Sequence, residues 1–156
     1  MSEWIGLPNN EELPQWFGIV YLITRTNITQ EEIDLGVPYM YVGCKNLKKK
    51  KTLPKNSKRK KKVVSFVKSD YEDYYGSSEE LKKLVELHGK ENFRREVLHL
   101  CESKWVLKYM EMMEQVKRNV LFSTAYHNGI VNVRLGNCPK AYLPKYKDIM
   151  EKFFKE

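Results

Sequence analysis

Tyr21 and Tyr41 each stand in a short β-branched and aromatic run, Ile19 to Ile23 and Tyr39 to Val42, with Thr, Asn, Gly and Pro punctuation between the two. Strands this close in sequence pair antiparallel, which sets the two phenols side by side on one face of a sheet. Directly afterwards come Lys45, Lys48, Lys49, Lys50, Lys51, Lys55, Lys58, Arg59, Lys60, Lys61 and Lys62, with no acid among them. Self-repulsion keeps such a segment extended unless a polyanion neutralises it, so nucleic acid is the natural partner. The plainer alternative is a solvated basic loop that confers solubility. Hydrolysis of a phosphodiester needs a base for the attacking water, a cation to neutralise the phosphorane, and help for the leaving oxygen. Tyr21 or Tyr41 would serve as base or water-positioning group if nearby positive charge lowers a phenol pKa that is ordinarily about 10. The lysine-rich segment is the expected source of that charge.

The chain has 156 residues, 42% of them hydrophobic, which supports one domain with a substantial core. Net charge is +8, and most of the excess lies in residues 45–62. No run approaches the roughly 18 apolar residues that cross a bilayer. The start, Met-Ser-Glu-Trp-Ile-Gly, lacks the charged-then-apolar pattern of a secretory signal. The expectation is an intracellular, non-secreted protein with no membrane partner. Cys44, Cys101 and Cys138 are odd in number and widely spaced, which argues against both a disulfide framework and a Cys-x-x-Cys zinc site.

Three segments are expected: an N-terminal arm over 1–15, a domain over 16–136 containing a basic loop at 45–62, and a helical tail over 137–156. The arm is turn-rich, and Trp4 and Trp16 are candidates for tacking it to the sheet. Thr29 with Glu32 three residues on fits a capping box for a short helical turn between the motif strands. Ser77 or Ser78 caps a helix near 78–88, with Glu79 and Glu80 in its first turn and Gly89 closing it. A third strand runs near 93–100. Ser103 caps a long helix near 103–121, whose Trp105, Tyr109, Met112, Val116 and Val120 form a stripe at helical spacing that reads as core. The fold class is therefore α+β: a three-stranded antiparallel sheet (18–24, 39–43, 93–100) flanked by helices.

Ile19-Val20-Tyr21 and Tyr41-Val42-Gly43 resemble the paired motifs of the GIY-YIG nuclease family. The order that follows also resembles its phage-type free-standing (Seg-like, homing-type) endonucleases: Tyr74-Tyr75-Gly76-Ser77-Ser78, His88 to Phe93, a third strand, a glutamate-bearing helix, and Tyr126-His127-Asn128. The resemblance spans roughly residues 16–135. It implies a Mg²⁺-dependent (or Mn²⁺-dependent) DNA endonuclease with catalytic Tyr21 and Tyr41, a metal-binding Glu111, and Asn128 as hydrogen-bonding support. One carboxylate suits Mg²⁺, which prefers oxygen and often takes only one or two protein ligands. Glu114, one turn on, is the alternative ligand. The family's Arg-x-x-x-His is missing here, so Arg59 or Lys45 would have to replace the arginine. Lys48, Lys49, Lys50, Lys51, Lys58, Lys60, Lys61 and Lys62 are the expected DNA contacts, to phosphates rather than bases.

Two readings from other classes stand beside this one. A lapsed GIY-YIG-fold module would hold nucleic acid without cutting it. An unrelated RNA-binding protein would use the lysines with Tyr71, Tyr74 and Tyr75 as a stacking surface. A single nuclease site cuts one strand, so a homodimer or a specificity-conferring partner protein is expected for paired cuts at a defined sequence.

Overall fold

The computed structural model describes residues 3–53 and 63–155. Four strands form one sheet in the order β1 (Trp4–Ile5), β6 (Phe93–Cys101), β2 (Gly18–Arg25), β3 (Met40–Asn46). β2 pairs antiparallel with β3 on one side and β6 on the other, so the three expected strands form the expected antiparallel unit. The N-terminal segment adds a fourth strand: β1 runs parallel to β6, with Trp4 opposite Arg95. The Trp4 indole donates to the Tyr71 carbonyl at 2.7 Å and fixes it there.

β2 is the centre because both its faces are covered. Successive side chains on a strand point to opposite faces, and here each set finds its own layer. Ile19, Tyr21 and Ile23 pack with Leu81 and Val85 of α2 (Glu79–His88) and with Phe93, Tyr71 and Tyr75. Val20 and Leu22 pack with Val42, Cys101 and the Val106, Leu107 and Met110 side chains of α3 (Lys104–Lys117). None of residues 19–23 is more than 7% exposed. Tyr71 and Tyr75 are likewise buried, at 2% and 8%, which removes them as a stacking surface for RNA bases.

The helix caps follow the sequence. Ser78 Oγ accepts from the Leu81 amide and Ser103 Oγ from the Val106 amide, and Gly89 closes α2 at φ +87°. Thr29 Oγ1 accepts from the Glu32 amide to start α1 (Gln30–Asp34), but the Glu32 carboxylate turns to Arg25 at 2.8 Å instead of completing the box.

α3 departs from expectation twice. It ends at Lys117 because Asn119 takes a left-handed conformation, φ 53°, a common way to stop a helix, and returns Val120 to the core at 1% exposure. Its buried face is Val106, Leu107, Met110, Met113 and Glu114 rather than the Trp105 stripe. Val116 is 54% exposed. Trp105 and Tyr109 stack on one another, centroids 5.1 Å apart, beside Tyr146 and Met150 of α4 (Leu143–Lys155). The smaller aliphatic side chains are left to meet the sheet.

The basic segment is not simply extended. β4 (Lys48–Leu53) pairs antiparallel with β5 (Val63–Lys68) as a separate two-stranded ribbon carrying Lys48, Lys49, Lys50 and Lys51. Lys58, Arg59, Lys60, Lys61 and Lys62 lie outside the described residues. Among the described residues no helix is long and apolar enough to cross a membrane.

α3 lies so close to the sheet because residue 18 has no side chain. A Cβ there would sit 2.7 Å from Leu107 Cδ2 and 2.9 Å from the Lys45 carbonyl oxygen. Gly18→Ala is expected to destabilise the fold by about 1–3 kcal/mol, the usual cost of overpacking, measured as a drop in Tm by calorimetry. An unchanged Tm would show that α3 can move away from the sheet at no cost.

Candidate active site at the sheet edge

β3 is an edge strand, and its outer backbone groups need partners. Residues 125–128 supply them. The Tyr39 and Met40 amides donate to the Ala125 carbonyl, and the His127 amide donates to Met40 O at 2.7 Å. At Val42 a side chain takes over from backbone: Asn128 Oδ1 accepts from the Val42 amide at 3.0 Å while Nδ2 donates to the Val42 carbonyl at 2.7 Å. Gln115 Nε2 donates to the same carbonyl at 3.1 Å. The Asn128 carboxamide thus imitates the peptide group of a further strand.

A cleft of about 380 Å³ opens around this edge. Tyr41 and Gly43 of β3 line it, with Tyr74 and Ser77 from the loop before α2, and Lys108, Glu111 and Gln115 from α3. The three α3 residues are three and four positions apart, which places them on one helix face. Asn128 also lines the cleft, so the structure brings together Tyr41, Glu111 and Asn128 from the expected set.

Tyr21 and Tyr41 share a face, ring centroids 6.3 Å apart, because Tyr21 stands opposite Gly43 and Tyr41 opposite Ile23. Gly43 makes this possible. A Cβ at that position would lie 2.5 Å from Tyr21 Oη and 2.9 Å from Tyr41 Cε1. Tyr21 Oη is buried against Gly43 with no hydrogen-bond partner, whereas Tyr41 Oη is 2.9 Å from Ser77 Oγ and bonded to it.

Neither phenol is primed as a base in the way the lysine run suggested. Burial pushes Tyr21 well above its ordinary pKa, and the neighbouring Tyr74 and Tyr41 add to this. Burial also raises Tyr41, and the Ser77 hydrogen bond only partly offsets it. Both stay neutral at pH 7, with burial the largest influence on each. Lys45 Nζ lies 4.1 Å over the Tyr74 ring and 2.7 Å from Asp70 Oδ1, outside the cleft lining.

The two candidate glutamates have different surroundings. Glu114 is buried and does not line the cleft: His99 Nε2 donates to Oε1 at 2.7 Å and Arg118 Nε to Oε2 at 2.8 Å. Burial alone would raise its carboxyl, but the bonds from His99 and Arg118 outweigh that and hold it below its ordinary value. Glu111 is the one carboxylate among the described residues that lines the cleft. A single carboxylate at an open cleft, leaving other positions to water and phosphate oxygens, fits a hard ion such as Mg²⁺. No cage of three or more His, Cys, Asp or Glu forms among the described residues, so nothing there resembles a zinc site.

Several cleft residues escaped the sequence reading: Lys108, Gln115, Ser77 and Cys44. Lys108 Nζ donates to Cys44 Sγ at 3.6 Å. Burial, with Glu111 next in effect, pushes the Cys44 thiol up to about 12, so it is a neutral thiol. The available signal was the Lys108, Glu111, Gln115 spacing, which is visible once the helix face is known.

The family model described as "Putative endonuclease segE, GIY-YIG domain" matches residues 4–131. No curated protein and no solved structure matches the chain.

The folded Glu114 carboxyl ionises at lower pH than the unfolded one, so its charge stabilises the fold above the unfolded pKa of about 4.3, and that gain is lost as pH falls through the folded value. Glu114→Gln is therefore expected to cost about 2 kcal/mol at pH 7, the scale of hydrogen bonds to a charged group, with the gap from wild type narrowing at pH 3. Urea unfolding at the two pH values measures this, and a gap that does not change with pH would contradict it.

Proposed function

The chain belongs to the SegE-type GIY-YIG endonuclease-domain family, and from that premise we propose that it is a Mg²⁺-dependent endonuclease that hydrolyses DNA phosphodiester bonds in the cleft beside β3. The observation that carries the proposal is the convergence of Tyr41, Gly43, Glu111 and Asn128 on that cleft, drawn from separate stretches of chain. Glu111 would hold the ion. When bound, Mg²⁺ supplies charge neutralisation at the phosphorane and a water made more acidic by coordination.

The chain's own residues do the rest. Tyr41, fixed by Ser77, is a neutral hydrogen-bonding group that orients the attacking water, while Tyr21, buried under Gly43, packs against the Tyr41 ring from within the sheet. Gln115 and Asn128 hold the Val42 peptide and so fix where Tyr41 and Gly43 present themselves. The β4–β5 ribbon, with Lys49, Lys50 and Lys51 exposed, supplies phosphate contacts that are indifferent to sequence. A homodimer or a partner protein would supply a second cut or a defined site.

Glu111→Ala is expected to slow cleavage of supercoiled plasmid by about 10³-fold or more, with DNA affinity nearly unchanged. If the variant cleaves normally, Glu111 is not the ligand. If the wild type shows no EDTA-sensitive cleavage of any DNA, the chain is a binding module of the same fold. Replacing Lys48, Lys49, Lys50 and Lys51 with Gln is expected to weaken binding on all sequences alike, and to flatten the log–log salt dependence by about 0.9 for each phosphate no longer neutralised. Weakening confined to one sequence would show that the ribbon reads bases.

A further inference from the structure

A cation from the protein would add to the metal's stabilisation of the phosphorane, yet among the described residues most cations near the site are committed elsewhere. Arg25 is paired with Glu32, Arg118 with Glu114, and Lys45 with Asp70. Arg95 donates to the Glu72 and Tyr74 carbonyls. Lys108 differs from these. It is the one cation among the described residues that lines the cleft, and its Nζ meets a neutral thiol, Cys44 Sγ at 3.6 Å, rather than a carboxylate.

We propose that Lys108 is the catalytic residue that supplies positive charge to the scissile phosphate. The assignment rests on the nuclease reading given above. Lys108 and Glu111 lie on the same face of α3, three residues apart. A metal-bound phosphate at Glu111 would therefore come within reach of a lysine side chain one turn earlier on the helix. α3 is held by Gly18 and by Gln115 on Val42, so the ammonium is carried on a fixed element. Lys108 is only partly exposed, and water is partly excluded around it, which strengthens its attraction to an anion.

In the reaction a water oxygen forms a bond to phosphorus and the bond from phosphorus to the leaving oxygen breaks. The proton lost by the water passes to solvent, and the leaving oxygen takes one from solvent. Lys108 contributes charge to the non-bridging oxygens and gives up no proton. Cys44 holds the ammonium in place when no phosphate is bound.

The test compares full-length wild type with Lys108→Ala, Lys108→Arg and Lys104→Ala, the last an exposed position at the start of the same helix. Single-turnover cleavage of a DNA duplex and fluorescence anisotropy for affinity are read with and without ethylammonium. Lys108→Ala is expected to cleave about 10²–10³-fold more slowly, the range for removing one preorganised charge-stabilising group, with affinity within about twofold of wild type. Lys108→Arg should recover much of the rate, Lys104→Ala should match wild type, and ethylammonium should rescue Lys108→Ala saturably while leaving wild type unchanged. Should the alanine variant fail to fold, Lys108→Met, which keeps the aliphatic stem, carries the same expectation. A wild type that cleaves alongside a Lys108→Ala variant within a few fold of it overturns the Lys108 assignment alone. A wild type that cleaves no DNA overturns the nuclease reading and this assignment together.

Discussion

The site depends on how the free edge of β3 is closed. A strand at the rim of a sheet leaves outward amides and carbonyls that must be satisfied, and at Val42 this is done by the Asn128 carboxamide and the Gln115 amide instead of another strand. The choice has a geometric consequence. A further strand would bury the edge, whereas two side chains close it and leave the space beside Tyr41 and Gly43 open as a cleft. The same bonds tie together α3, β3 and the segment after α3, so Glu111 and Lys108 keep a fixed relation to the two tyrosines.

Close packing sets the rest of the geometry. Gly43 lets the Tyr21 ring cross to β3, and Gly18 lets Leu107 of α3 approach the sheet. Burial has an electrostatic effect as well. It raises both phenols and the Cys44 thiol, leaving those groups neutral. Among the described residues, the charged side chains lining the cleft are then Glu111 and Lys108, one carboxylate and one ammonium on a single helix face. The separation of neutral buried groups from these two charges follows from the packing.

Much of the fold was legible in the sequence because local signals agreed with one another. The Ile19 to Ile23 run, the serine caps at 78 and 103, and Gly89 each specify an element on their own. The Tyr21 and Tyr41 pairing was also readable, since antiparallel register and strand alternation decide which side chains share a face. The rotation of α3 was not. Trp105 and Tyr109 are large and follow helical spacing, so they read as core, but they stack beside α4 and yield the sheet side to Val106, Leu107 and Met110. That misreading hid Lys108 and Gln115 and made Glu114 look like a flank residue when it is buried between His99 and Arg118. The β1 strand was hidden because two residues carry no periodicity, and its place is set by Trp4 and Tyr71, which are remote in sequence.

The central claim is that a divalent cation and a DNA phosphate meet between Glu111 and the two motif strands. Paramagnetic broadening of backbone amide signals by substoichiometric Mn²⁺ tests it most directly. Selective disappearance of the signals from Gly43, Lys108 and Glu111 is expected, with those of Glu72, Asp73 and the β4–β5 ribbon preserved. Broadening centred on Glu114, on Glu72 and Asp73, or spread evenly over the surface carboxylates would contradict it.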